Sequence, residues 1–266
     1  MFIDFHVHTF PDTVAPKAVG KLAAISGLTP FTDGTVHDTL IKMERNGIDR
    51  SVCLNIATRP GQERTINDTA AMLYEKTGGR LVGFGSVHPD SPDALDELKR
   101  CKEIGLKGIK LHPDYQGFRI EEERMRPIYK ALSELDLFVT FHSGWDCYSP
   151  DNIHCLPDKA AAVAKAFPHL RMCFAHFGAM KLWEDVFEYL AGSDNVWFDT
   201  AMASTMRLDP GLAERIIAKH PAENVLLGSD CPWEDPADSI KFIMDLKISD
   251  DAKEAIFCKN ALKIIG

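Results

Sequence analysis

The chain has 266 residues, 45% of them apolar, and a formal net charge of −9. That apolar share supports a sizeable core, and the acidic balance argues against the phosphate backbone of nucleic acid as a partner. Seven cysteines, an odd number without a Cys-x-x-Cys pair, read as reduced thiols of a cytoplasmic protein. The chain enters an apolar stretch directly after Met1, so no signal peptide is expected, and no apolar run is long enough for a bilayer span.

Taken in order, short β-branched and aromatic runs alternate with amphipathic helical stretches. The first strand covers residues 2–8 and carries His6 and His8 at its end. A long loop, 9–34, precedes a helix over 35–47 with apolar Val36, Leu40, Ile41 and Met43 and a stop at Gly47. Strands follow at 50–56 and 81–88. Ser91, followed by Pro92, marks the cap of a helix that ends near Gly105. The remaining strands are 108–112, 137–142, 171–176, 195–200 and 225–230, with helices over 121–135, 158–167, 181–190, 210–219 and 236–246. A last helix spans 250–264. Strands that alternate with helices imply a parallel sheet, and strands that are apolar at most positions are buried on both faces. Eight repeats in one domain, residues 1–266, fit an α/β fold of the (β/α)8 TIM-barrel type with an additional C-terminal helix. An open doubly wound sheet is the rival, but the first strand leads into Thr9-Phe10-Pro11-Asp12 with no Gly-rich phosphate turn.

In a barrel all strand ends meet at one mouth. His6, His8, His88, His112, His142 and His176 fall at the ends of strands 1, 3, 4, 5 and 6, and Asp230 at the end of strand 8. Positions i and i+2 of a strand share a face, so Asp4, His6 and His8 are expected on one face and Lys110 and His112 on another. Two imidazoles converging on one point suit a divalent ion such as zinc. His142 or His176 taken singly reads as a structural residue, and Asp230 taken singly fits a cap of the turn after strand 8 as well as a functional acid. Together their placement at one end of one kind of element favours a metal site. His88 reads as structural, Asp4 as a hydrogen-bonding partner beneath the histidines, and Asp199 as a structural strand-end acid. The loop 144–157, with Trp145, lies at the same face.

With these residues assembled, the chain resembles the amidohydrolase superfamily, and within it the amidohydrolase-related metal-dependent hydrolases and decarboxylases. The resemblance runs over nearly the whole chain. It is carried by Ile3-Asp4-Phe5-His6-Val7-His8, Asn67-Asp68, Gly83-Phe84-Gly85-Ser86-Val87-His88-Pro89, Gly108-Ile109-Lys110-Leu111-His112-Pro113, His142, His176, Gly228-Ser229-Asp230-Cys231-Pro232-Trp233 and Lys259-Asn260-Ala261. It implies a metal ligated by His6, His8, His142 and Asp230, with His176 as a catalytic residue or a ligand of a second metal. Relatives with two metals carry a bridging carboxylated lysine or a glutamate on strand 4. Lys110 stands two residues before the strand end, so one divalent metal, zinc, is the expectation.

The resulting mechanism is hydrolysis of a small amide, ester or lactone by a metal-activated water. Asp230 handles the proton, His176 polarises the scissile bond, and Lys110, His112 and Trp145 contact substrate. The alternative is a lyase, a decarboxylase or hydratase of an aromatic or unsaturated carboxylic acid. A non-enzymatic barrel would instead close four ligands around a structural ion. The expected partners are a small-molecule substrate and at most a second copy of the chain in a homodimer, with no nucleic acid or membrane.

Overall fold

The strands lack the alternation of a half-exposed sheet, and in the computed structural model, which describes residues 1–266, they are buried along almost their whole length. They are β1 (Ile3–Val7), β2 (Arg50–Leu54), β3 (Leu81–Phe84), β4 (Gly108–Leu111), β5 (Phe138–Phe141), β6 (Met172–Phe174), β7 (Val196–Asp199) and β8 (Val225–Leu226). All pairings are parallel, in the runs β1-β2-β3 and β4-β5-β6-β7-β8. Two seams join these runs into a barrel. Gly85 pairs with Ile109 between β3 and β4, and Val7 pairs with Cys231 beyond β8. At the second seam Phe5 N donates to Leu227 O at 2.7 Å and Asp230 N donates to His6 O at 2.8 Å.

Helices cover the outside. They are α1 (Ala15–Ser26), α2 (Val36–Arg45), α3 (Glu63–Lys76), α4 (Ala94–Glu103), α5 (Pro113–Gln116), α6 (Arg126–Glu134), α7 (Pro157–Ala166), α8 (Trp183–Asp185), α9 (Pro210–Lys219), α10 (Pro236–Asp245), α11 (Asp250–Glu254) and α12 (Asn260–Ile265). None is long and apolar enough to cross a membrane. Side-chain caps fix several starts: Thr35, Asp209, Asp235 and Ser249 each accept from a first-turn N–H.

The sequence reading differs here in three ways. The 9–34 loop contains α1, opened by Pro16 and ended by left-handed Gly27. Helix α3 fills the β2–β3 crossover, for which the sequence reading names no helix. Both helices have polar or small residues that blur the apolar stripe. Ser91 makes no side-chain cap, since α4 begins at Ala94 behind Asp93.

Four residues of β1, from Asp4 to Val7, oppose three of β2, from Ser51 to Cys53, which is a bulge. The bulge breaks the expected parity of Asp4 with the histidines. Phe5 packs edge-on against Phe84 and Phe138, at centroid distances of 5.4 and 5.7 Å. The next residue, His6, reaches the charged groups above this aromatic floor. Residues Ala261, Ile264 and Ile265 of α12 join the same apolar cluster, so the additional C-terminal helix packs against the floor. Phe5→Ala would leave a cavity beside two rings. Its expected cost is about 3–5 kcal/mol, read as a lowered denaturant midpoint at unchanged m-value. An unchanged midpoint would show that the floor carries no such load.

Candidate active site

The strand ends bring two His2Asp groups together. In the first, His6 Nε2 and His8 Nε2 lie 3.3 and 3.0 Å from Asp230 Oδ1. All three donor atoms lie within 4.8 Å of one another. His6 Nδ1 is 2.8 Å from Asp199 Oδ2, whose other oxygen accepts from His176 N at 2.9 Å and Ala201 N at 3.2 Å. A carboxylate that holds the far nitrogen of an imidazole sets its tautomer and aims the near nitrogen at an ion. The donor chemistry therefore fits a borderline divalent metal, and three protein ligands are the number typical of a catalytic rather than a structural site. Lys110 Nζ, fully buried, stands 3.3 Å from His6 Nε2.

Asp230 and His176 both adopt left-handed backbone, with φ of 68° and 62°. Non-glycine residues seldom do so, and such strain clusters where a side chain must be aimed. Asp4 secures the β8 end, accepting from Ser229 Oγ at 2.5 Å, Ser229 N at 3.0 Å and His6 N at 3.2 Å. It touches neither imidazole. The role expected of Asp4 belongs to Asp199.

The second group is His112, His142 and Asp146. The His112 ring stacks between Tyr115, at 3.8 Å, and His142, at 4.2 Å, with all three planes within about 4° of parallel. Asp146 Oδ2 is 3.7 Å from His112 Nε2 and 3.4 Å from His142 Nε2. Gly144 sets the loop that delivers it. With φ of +84°, and Met180 N only 2.2 Å from where a Cβ would lie, no other residue fits.

The two groups touch through a pair of histidines: His142 Nδ1 is 2.9 Å from His176 Nε2. His176 Nδ1 lies 3.3 Å from Ala201 O, which only accepts, so Nδ1 carries the proton and Nε2 is bare. His142 Nδ1 must then donate to it. In a neutral ring this leaves His142 Nε2 as a lone pair.

Burial governs the charges. It would raise Asp230, but His6, His8 and His176 more than offset it and hold the carboxyl down at about 2. Burial and then Lys110 push His6 down to about 4, while His112 and His142 are held well below the usual imidazole range by burial and neighbouring cations. Burial lowers Lys110 and lifts Asp146 to about 7.

Away from the site, burial also depresses His220, stacked on Phe198, to about 4. A depressed imidazole adds stability that is complete above pH 6.5 and lost as pH falls toward 4. At pH 5 roughly 2 kcal/mol is gone. His220→Gln should therefore lose less melting temperature than the parent between pH 7.5 and 5. Equal losses would contradict this.

Of the sequence-predicted residues, His6, His8 and Asp230 come together. His142 falls in the second group with His112. His176 bridges the two, and Lys110 lies against the first. Trp145, half-buried, carries Lys181 Nζ over its ring at 3.2 Å beside Asp146. His88 lies outside, its Nδ1 accepting from Asp90 N within its own turn. Lys110 is the buried cation at this mouth, placed to meet an anionic substrate group. Sequence reasoning missed Asp146, Asp114 and Tyr115. The spacing His142-x-x-x-Asp146 and the His112-Pro113-Asp114-Tyr115 turn are their only traces.

Residues 3–266 match the family model described as Amidohydrolase. A 4-sulfomuconolactone hydrolase of Rhizobium radiobacter is 26% identical over 198 residues, covering 73% of this chain and 61% of that protein. A 2-amino-3-carboxymuconate-6-semialdehyde decarboxylase of Dictyostelium discoideum is 26% identical over 132 residues, covering 42% and 36%. The chain thus spans less than two thirds of the length of these relatives. A solved 5-carboxyvanillate decarboxylase of Novosphingobium aromaticivorans, in complex with manganese and 4-hydroxy-3-methoxy-5-nitrobenzoic acid, shares the fold at a TM-score of 0.72 and 18% identity, covering 100% of this chain and 96% of that one. With a family match that runs from β1 to the last residue and a closed eight-stranded barrel beneath it, this chain belongs to the amidohydrolase family.

Proposed function

We propose that this chain is a metal-dependent lyase that decarboxylates a small aromatic or unsaturated carboxylic acid. The observation that carries the reading is the buried His6–His8–Asp230 trio with the Lys110 ammonium against it, a site that suits an anionic substrate beside a divalent ion. Two of the three relatives described above are decarboxylases, one of them solved with manganese. His6, His8 and Asp230 would hold zinc or manganese. When bound, the metal supplies Lewis acidity toward the oxygens of the substrate.

The side chains do the remaining work. Asp230, ionised throughout the neutral range, orients His6 and His8 and does not compete for the proton. Lys110 balances the substrate carboxylate until the C–C bond breaks and carbon dioxide leaves with the electron pair staying on carbon. The Lys110 ammonium, 3.3 Å from His6 Nε2, carries the proton nearest the trio, and that proton replaces the lost carboxylate on that carbon, leaving a neutral amine. Burial of the whole group keeps water from that carbon. Tyr115 and Trp145 flank the mouth as flat surfaces for a ring.

The second reading is a lactone or ester hydrolase, supported by the 4-sulfomuconolactone hydrolase relative. A panel of hydroxybenzoic and unsaturated acids, assayed for carbon dioxide release beside a panel of lactones, esters and amides, separates them. Carbon dioxide release from the acids alone is expected. Turnover confined to the lactone panel would replace the first reading by the second.

A further inference from the structure

We infer that Lys181, held over the Trp145 ring, is a specificity-determining cation that selects substrates with a second anionic group, a carboxylate or sulfonate, at the end remote from the bond that breaks. This deepens the decarboxylase reading of the site and rests on it for the placing of the scissile carboxylate at Lys110.

The position of Lys181 is fixed by the loops that carry it. Those after β5 and β6 are zipped together beside it. Gly144 and Met180 form a parallel bridge, Met180 N donates to Ser143 O at 2.9 Å, and Trp145 N donates to Met180 O at 2.9 Å. Met180 is buried, so Lys181 leaves the loop from an anchored point. Lys181 then takes left-handed backbone, with φ of 62°. Other non-glycine residues do so at His176 and Phe177 on the same loop, at Met202 and Arg207 after β7 and at Asp230 after β8, and away from these strand ends only at Asp136. Such backbone is costly and gathers where side chains must be aimed. Here it sets Lys181 Nζ 3.2 Å from the centre of the Trp145 ring.

The ammonium keeps its charge uncompensated. An indole face attracts a cation but leaves its N–H donors free for an anion. Two nearby acids are engaged elsewhere. Asp146, next to Trp145, turns Oδ2 toward His112 and His142 at 3.7 and 3.4 Å, and Glu184 pairs with Arg215 at 3.6 Å. Lys181 is exposed, whereas Lys110 is fully buried on β4. The two ammonium groups therefore mark the rim and the floor of one mouth. The Cys147 thiol, raised by burial and by Asp146 and Asp230, is lowered by Lys181, so these charges share that mouth. With one carboxylate on the floor, a second anion on the same molecule meets Lys181. The contact is remote from the reacting carbon and acts through binding.

The test reads affinity apart from turnover. The Zn2+-loaded chain is titrated by calorimetry with salicylate, 4-hydroxyisophthalate and 5-sulfosalicylate, which share a ring and differ in the second acid group. The two dianions should bind about tenfold more tightly than salicylate, and the preference should shrink as salt is raised. Lys181→Met should remove most of that preference and Lys181→Arg should retain it, with thermal melts to establish folding. Carbon dioxide release is followed on the same acids. A Lys181-dependent preference without carbon dioxide release would keep the anion site and remove the decarboxylase reading. A parent chain without the preference, a preference indifferent to salt, or one that survives in Lys181→Met overturns the proposal. The first two outcomes need no variant.

Discussion

Asp230→Asn is expected to lower turnover by roughly a thousandfold and to strip the first site of its metal, while the fold survives. Asparagine keeps the shape of aspartate and loses its charge. Asp230 sits at φ of 68°, a conformation that asparagine tolerates nearly as well as aspartate, so the backbone after β8 holds its course. The volume is the same. What goes is the negative charge 3.0 Å from His8 Nε2 and 3.3 Å from His6 Nε2. Without it the trio is two neutral imidazoles and an amide beside the Lys110 ammonium, which now repels a divalent ion unopposed except by Asp199. Metal content after dialysis and kcat/KM on the substrate found by the panel are the measurements. Unchanged metal content with unchanged kcat/KM would remove Asp230 from the site.

How much of this was legible in the sequence follows from the type of signal. A parallel barrel writes each strand as an unbroken apolar run, so Val139 and Phe141 on β5, or Val196 and Phe198 on β7, declare themselves. The histidines and Asp230 stand out against those runs because polar residues at the end of a buried strand need a reason. Period-two parity then fails at one place. The bulge between Asp4 and Val7 adds a residue to β1, so the partner beneath the histidines is Asp199 on β7 rather than Asp4. No periodicity can show a bulge, which depends on the pairing with β2. The second group is hidden for a different reason. Asp146 reaches His142 from a loop whose path is set by Gly144 against Met180, a contact across 36 residues that leaves no local pattern. The helices α1 and α3 were obscured by composition, since their stripes contain Ala, Thr and Asn where a Leu or Ile would have announced them.

Asp199 is the residue whose loss should reach furthest beyond its own contacts. Its two oxygens serve His6 Nδ1, His176 N and Ala201 N, all buried. Burial opposes the charge, yet His6 and then His176 and Lys110 hold the carboxyl well below the usual carboxylate range, so it is an anion at every working pH. Asp199→Ala leaves two backbone N–H groups and one imidazole nitrogen without an acceptor, and leaves Lys110 with Asp230 as its nearest remaining counter-charge. A loss of about 3–5 kcal/mol in stability is expected from the buried groups left without their charged partner. Asp199→Asn keeps an amide oxygen for the N–H donors and so spares most of that loss. It removes the carboxylate that turns His6 toward the ion, and first-site metal affinity should fall by about 10–100-fold. The two variants therefore separate scaffold from function. The alanine variant should be marked by its melting temperature. The asparagine variant should be marked by Zn2+ titration at a nearly unchanged melting temperature. A normal Zn2+ Kd in Asp199→Asn would mean that packing alone, and not Asp199, aims His6.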